Sequence, residues 1–216
     1  MARLNHPFLG QLSGKLGNLV IYQLNGKTVV REKPQWKKSY QATALQRLYQ
    51  QKFKLATAAL RPLLKVLDTG YGEYVTSTRK GFHLALSQTL KSAMLETQGT
   101  VGVNYESILI SSGVVSPVLH LQTSWVGTRE LSLHWESQGN QGNAKDSDLS
   151  WIVVYNPDQG IVEEFSGGAF RRTQSQTIEL AQRIDLAGSY LFMSFYRLLP
   201  RNKRRFSDSV CIRLGT

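Results

Sequence analysis

Three stretches of this sequence combine residue types that do chemistry. The first is Gly10-Gln11-Leu12-Ser13-Gly14-Lys15, which has the glycines and lysine of a phosphate-cradling loop. Such a loop needs four residues between its glycines, a Ser or Thr after the lysine to ligate magnesium, and a strand before it. Here three residues intervene, Leu16 follows and no strand-forming run precedes, so nucleotide binding is not expected. Small residues in such a run let another backbone approach closely. Gly10, Ser13, Gly14, Lys15, Gly17 and Asn18 are therefore read as an assembly contact.

The other two stretches are basic. Arg31, Lys33, Lys37 and Lys38 surround Trp36, and Arg201, Lys203, Arg204 and Arg205 precede Phe206. Single-stranded nucleic acid is held by this combination, with cations on the phosphates and rings under the bases. Lysine and arginine also blunt strand edges and turns, which is the plainer reading. Lys33, Trp36, Lys37, Lys38, Arg47, Lys52 and Lys54 are the residues a nucleic-acid surface would use.

No set of residues has the spacing of an enzyme. His6, His83, His120 and His134 are scattered, although His120 and His134 fall on strand-like runs that can be neighbours. None has a cysteine or carboxylate at a metal-ligand spacing. Asp146 and Asp148 lack the glycine and terminal glutamate of a calcium loop and read as solvated turn residues. Glu163 and Glu164 are adjacent on a strand and so point to opposite faces. Cys211 reads as a small buried hydrophobe, and no nucleophile elbow is present. The expectation is a protein that is not an enzyme and has no cofactor, no metal and no small-molecule substrate.

Charge is unevenly placed. Residues 1–100 carry 15 Lys and Arg against 4 Asp and Glu, while residues 101–216 carry 11 of each. The whole net charge of +11 thus belongs to the first part, and an anionic partner is to be sought there. No apolar run reaches the length of a membrane span, and no secretory leader is evident at residues 1–10. A lone cysteine excludes an internal disulfide. A cytoplasmic location, or a place in an assembled particle, is expected.

These residues must be positioned by two kinds of element. Asn25-Gly26 between 19–24 and 28–31 is a type I′ hairpin signal, and the glycine-rich residues before it read as irregular. Apolar residues recur at three- and four-residue steps over 41–60 and again over 81–96, which predicts two helices, with Pro62 ending the first. From Val101 short β-prone runs follow at 107–111, 118–123, 130–135, 150–155, 162–165, 176–180, 190–198 and 207–214. Strands at that spacing, separated by turn residues, predict an immunoglobulin-like or fibronectin type III-like sandwich, with Trp135, Trp151 and Tyr155 in its core. The fold class is therefore α+β. Residues 1–100 form a basic hairpin-plus-helices module and 101–216 form the sandwich.

The order Ser13-Gly14-Lys15-x-Gly17-Asn18, Asn25-Gly26-Lys27-x-Val29-Val30-Arg31, then Val153-Val154-Tyr155-Asn156-Pro157 and Ser207-Asp208-Ser209-Val210 resembles a family of uncharacterised proteins of Bacteroidota. The resemblance spans nearly the whole chain and implies an origin but no activity. Tyr22-Gln23-Leu24 departs from the tryptophan-and-basic stretch of that pattern, which counts against a nucleic-acid role centred on the hairpin. The functional expectation is a structural protein that self-associates through its glycine-rich arm and hairpin, as a homo-oligomer or as a subunit of a filament or a phage-derived, virion-type particle. The alternative is nucleic-acid binding by the basic module.

Overall fold

The computed structural model describes residues 13–35, 41–97, 100–137 and 139–215, together with the backbone of 2–4. The chain divides into two compact units, residues 1–46 and 47–216. This break lies far from residue 100, where the composition changes.

The first unit is an antiparallel sheet of β1 (Ala2–Leu4), β2 (Gly14–Leu16), β3 (Leu19–Leu24) and β4 (Lys27–Glu32), in the order β1-β4-β3-β2. The expected hairpin is present. Asn25 and Gly26 have φ of 52° and 73°, the two positive values a type I′ turn demands. The glycine-rich segment before it is not wholly irregular, because Gly14–Leu16 pairs with Leu19–Ile21 through a second two-residue turn at Gly17-Asn18. Gly17 has φ of 57°, which gives that turn the same left-handed start as the first.

The second unit has three layers. Helix α1 (Ala44–Leu60) begins at a capping box. The Gln46 N–H donates to Thr43 Oγ1 at 3.2 Å, and the Thr43 N–H donates to Gln46 Oε1 at 2.9 Å. Pro62 closes the helix into a 3-10 turn, Arg61–Leu63, followed by α2 (Leu64–Gly70) and α3 (Gly81–Ser92). The predicted second helix is shorter than its apolar spacing suggests. Residues 94–97 leave it to form β5 (Met94–Thr97), paired with β6 (Thr100–Val103). Helices α2 and α3 meet closely at Gly81, where a Cβ would lie 2.2 Å from the Leu67 carbonyl oxygen. Gly81→Ala must push the helices apart, and we expect a loss of ~1–3 kcal/mol, read as a lower thermal midpoint with unchanged circular dichroism at low temperature.

The other two layers are sheets. One is β11 (Ser175–Glu179), β8 (Glu130–Glu136) and β7 (Leu119–Trp125) in that order. The other runs β10 (Ile161–Phe170), β9 (Leu149–Asn156), β12 (Tyr190–Leu199) and β13 (Lys203–Phe206), with β14 (Val210–Arg213) also on β12. Three antiparallel strands packed on four-plus-one, with the chain passing from one sheet to the other between β8 and β9, form the immunoglobulin/fibronectin type III-like sandwich. The expected strand at 107–111 joins no ladder. Ile108 and Ile110 are buried, but the segment is held by single bonds such as the Ile110 N–H to Ser209 Oγ at 3.0 Å. The last expected strand, 207–214, is the shorter β14, and a strand that was not expected, β13, precedes it and carries the basic cluster at 203–205, which the expected spacing leaves between strands.

Strand β9 explains why no unit boundary falls near residue 100. Ile152 and Val154 point into the sandwich with Leu133, Trp135, Met193 and Phe195. Trp151, Val153 and Tyr155 point the other way, into a second core with Leu60, Leu63, Leu67, Phe192 and Phe206. Period-two alternation separates the faces, and both are buried, which is why β9 reads as an unbroken apolar run. Trp151 and Tyr155 are thus core aromatics of the helix-facing layer, not of the sandwich interior. The helices and the sandwich share this core, so no division near residue 100 separates two independent cores.

Candidate assembly surface

The registers of the N-terminal sheet assign its side chains to faces. Leu16 pairs with Leu19, and Ile21 with Val30, so these four share one face with Gln23, Thr28 and Glu32. Lys15 pairs with Val20 and Val20 with Arg31, while Tyr22 pairs with Val29 and Leu24 with Lys27; these seven share the other face. One face is mainly apolar, and the other is basic around a tyrosine whose ring lies 5.5 Å from the Arg31 guanidinium carbon.

Neither face has a core. Among the described residues of this unit only Thr28 and Val29 are buried, and they lie on opposite faces. Leu16 is 69% exposed and Leu19 42%. A small sheet without a buried apolar face lacks the main term that keeps strands folded in water. Strands β1 and β2 are its outer strands, and among the described residues no further strand pairs with either.

Helix α1 has a second exposed apolar feature. Leu45, Tyr49, Phe53, Ala56 and Leu60 follow each other at steps of four, four, three and four, which places them in one row. Ala56 and Leu60 end this row in the core at 0% exposure, whereas Leu45, Tyr49 and Phe53 are 60%, 60% and 53% exposed. The helix therefore overhangs the core that its second half helps to build.

The residues expected to form an assembly contact sit at the turn and outer edge of the sheet. Ser13 precedes β2, Gly14 and Lys15 lie on it, and Gly17-Asn18 make the turn. Asn18 holds that turn to β4: its Nδ2 donates to Glu32 Oε1 at 3.3 Å, and its carbonyl accepts from the Lys33 N–H at 2.7 Å. Gly10 lies outside the described residues. The neighbouring Leu16 and Leu19 carry the exposed apolar area and escaped the sequence reading. Their signal was available, because a two-residue turn at Gly17-Asn18 puts 16 and 19 side by side.

The nucleic-acid candidates are less concentrated. Trp36, Lys37 and Lys38 lie outside the described residues. Lys33 is exposed after β4. Arg47 and Lys54, seven positions apart, share the face of α1 opposite the apolar row. Lys52 is committed to Glu96 at 2.7 Å, and its ammonium lies 5.7 Å from the Tyr49 ring centre. In the second cluster Arg205 Nε pairs with Glu73 at 2.9 Å, and the Arg204 guanidinium lies 5.0 Å from the Tyr196 ring centre. Lys203, Arg204 and Arg205 line an open cleft of about 550 Å³ with Asp68, Thr69 and Glu73. Cations and carboxylates alternate there, so the cleft has no single sign of field to gather an anion.

The residues with catalytic chemistry are occupied elsewhere. His120 Nδ1 lies 2.8 Å from Glu136, and His134 Nε2 lies 3.1 Å from Ser132 Oγ, so the two histidines have separate partners. Glu164 accepts from Trp151 Nε1 at 2.8 Å, and Glu163 accepts from the Ala181 N–H at 3.2 Å. Burial pushes the Cys211 thiol well above its ordinary pKa, with Glu106 adding to the shift, which removes the thiolate a nucleophile needs. Burial likewise raises the Tyr71 and Tyr155 hydroxyls; they donate to the Leu109 carbonyl at 3.1 Å and the Ala59 carbonyl at 2.9 Å. Asp148 is not a solvated turn residue. It is fully buried, because two arginines converge on its carboxylate. Among the described residues no group of three or more His, Cys, Asp or Glu side chains is placed to hold a metal, and no helix is long and apolar enough to cross a membrane.

Known structures resemble parts of this chain. A two-domain fibronectin type III segment of chicken tenascin is 18% identical over 47% of the chain, with a TM-score of 0.33, and the match spans 49% of the segment's own length. A myokine structure is 8% identical over 47% of the chain and 99% of its own, with a TM-score of 0.29. No curated protein matches the sequence. The model of a family of unknown function, DUF6266, matches residues 11–197, and the chain belongs to that family.

Proposed function

We propose that this protein is a non-enzymatic structural subunit that associates with further copies of itself through the N-terminal sheet. One observation carries the reading: a four-stranded sheet with an exposed apolar face, which among the described residues buries only Thr28 and Val29 and has no further strand on either edge. Such a sheet gains its missing core by packing its leucine face, or by pairing its edge, against another copy. A filament or a phage-derived, virion-type particle is the setting in which a subunit of this kind works.

Sedimentation velocity of the full chain tests this. Species larger than the monomer are expected, growing with concentration. The double variant Leu16→Glu/Leu19→Glu puts two carboxylates on the apolar face and is expected to shrink them while leaving the 47–216 unit folded. A chain that stays monomeric across concentration and salt contradicts the proposal.

A second reading rests on the opposite face of the same sheet. Lys15, Lys27 and Arg31 surround Tyr22 there, a combination of charge and ring that suits a single-stranded nucleic acid. Binding of a fluorescent single-stranded oligonucleotide should weaken steeply with salt and be lost in Lys15→Glu/Arg31→Glu. Equal binding by that variant and the parent removes this reading.

A further inference from the structure

We propose that copies of this protein stack head to tail, the basic end of the sandwich in one copy docking on the acidic end of the sandwich in the next. The inference rests on the assembly reading above and adds a contact that lies wholly within residues 47–216.

Residues 101–216 carry 11 cations and 11 carboxylates, but the strand registers sort them by end. Leu149 pairs with both Phe170 and Tyr196, and Lys203 with Leu199, so β9 and β13 start where β10 and β12 finish. The segments at that end, 136–148, 170–172 and 197–205, hold eight Lys and Arg against three Asp and Glu. The opposite end is made by 126–130, 156–164, 179–189 and 210–213, with 105–107 held there by the stacking of Tyr105 on Tyr190. These segments hold three against seven. The helical layer reduces the contrast without reversing it, as Asp68 and Glu73 border the basic end and Arg61 and Lys65 the acidic one. A charge-balanced sandwich is thus a dipole along its strands, and unlike ends of two copies attract when they meet in line.

Both ends carry charge that the chain itself leaves unmet. At the basic end Arg197 is neutralised by Asp148 and Arg205 by Glu73. Lys145, Arg172, Arg201, Lys203 and Arg204 are exposed and, among the described residues, pair with no carboxylate. Beyond the last ladder pair, Leu199 with Lys203, the turn holds Arg201 and Asn202 at φ of 63° and 56°. That left-handed conformation is costly for an arginine, yet it keeps a cation at the tip of the sheet. At the acidic end Glu130 and Glu179 stand directly opposite each other in the β8–β11 ladder, both exposed. Like charges so placed repel, and an incoming cation relieves them. Arg129 beside them is held instead by the Ala181 and Ile184 carbonyls, at 2.6 and 3.0 Å. Glu163, Glu179 and Arg129 line an open recess of about 310 Å³, into which the basic turn of the next copy fits. Such a contact joins two different surfaces and does not close on itself, so it extends a filament along the strand direction.

Sedimentation velocity of the full chain tests this in a Leu16→Ser/Leu19→Ser background, which removes the leucine face of the sheet without adding charge. Association is expected to persist at about 50 mM salt and to fade by about 0.5 M, as the screening length shortens. Arg201→Glu/Lys203→Glu reverses the basic end, and Glu130→Lys/Glu179→Lys the acidic end. Each alone is expected to weaken association by about tenfold or more, because like ends then meet. Arg172→Glu/Arg204→Glu, which reverses the basic end away from the turn, is expected to act in the same way. Equal amounts of a basic-end and the acidic-end variant are expected to associate again, since each end of one then meets an opposite charge on the other. A mixture that stays dissociated overturns the stacking. So does weakening by the basic-end variants alone, which makes the occupant some other anion. A background chain that is monomeric at low salt overturns the stacking and leaves the sheet reading standing. One that associates as the parent does, and loses this on charge reversal, supports the stacking and removes the sheet contact.

Discussion

Asp148→Ala is expected to destabilise the 47–216 unit by ~3–5 kcal/mol, the range for removing one partner of a buried ion pair. The carboxylate is fully buried. Arg197 grips it with Nε at 2.8 Å and Nη2 at 3.1 Å, the Lys145 N–H donates at 2.8 Å, and Arg171 Nε lies 3.5 Å away. Arg171 has no access to water either. Its guanidinium donates to the Ser116 carbonyl at 2.6 Å and the Pro117 carbonyl at 3.3 Å, and its centre lies 3.9 Å from the Phe195 ring centre. Its backbone carbonyl accepts from Trp135 Nε1 at 2.8 Å. Burial lowers the pKa of this guanidinium and the nearby Asp148 opposes that shift.

Without the Asp148 carboxylate, Arg171 is a buried cation supported only by carbonyl dipoles and a ring. Both ends of the sandwich corner that it joins are then loosened. Urea denaturation checks this as a lower midpoint at unchanged slope. Asp146→Ala, two residues away and half-exposed, is the control and should cost less than ~1 kcal/mol. A loss below about 1 kcal/mol for Asp148→Ala would show that the cluster relaxes into water.

A fragment of residues 101–216 is expected not to yield a soluble, cooperatively folding monomer, whereas 47–216 is expected to. The sequence divides by composition near residue 100, and the sandwich strands all lie beyond it. Yet cutting there removes Leu60, Leu63, Leu67, Ala85 and Leu86 from the core they share with Trp151, Val153, Tyr155, Phe192 and Phe206. Five large side chains of one sheet face then meet water, an exposed patch of the kind that drives aggregation. At 1.5–3 kcal/mol per fully buried large side chain, the loss is comparable to the ~5–15 kcal/mol by which whole domains are stable. Dye binding, near-ultraviolet circular dichroism and size-exclusion chromatography of the two fragments distinguish the cases. A well-folded 101–216 would show that the helical layer is an accessory.

Much of the architecture was legible from local pattern. The Asn25-Gly26 turn, the two helices and the strands at 118–123, 130–135, 150–155, 162–165, 176–180 and 190–198 follow from residue types with fixed backbone preferences. The apolar row of α1 was visible as well, since Leu45, Tyr49 and Phe53 keep helical spacing with Ala56 and Leu60. What spacing does not carry is which part of a row is covered. That depends on where the helix lies against the sheet, and there the second half is buried and the first half is not.

Asp148 shows the same limit for charge. In sequence it is one polar residue in a polar loop, and its partners Arg171 and Arg197 are 23 and 49 positions away. Only the packing of β9 between β10 and β12 brings all three together. The sequence by itself determined the element types, the placement of net charge in the first hundred residues and the failure of each catalytic spacing, because these depend on neighbours along the chain. Tertiary structure alone decided the shared core, the buried Asp148–Arg171 pair and the exposed leucine face, because burial is set by contacts between residues far apart in the chain.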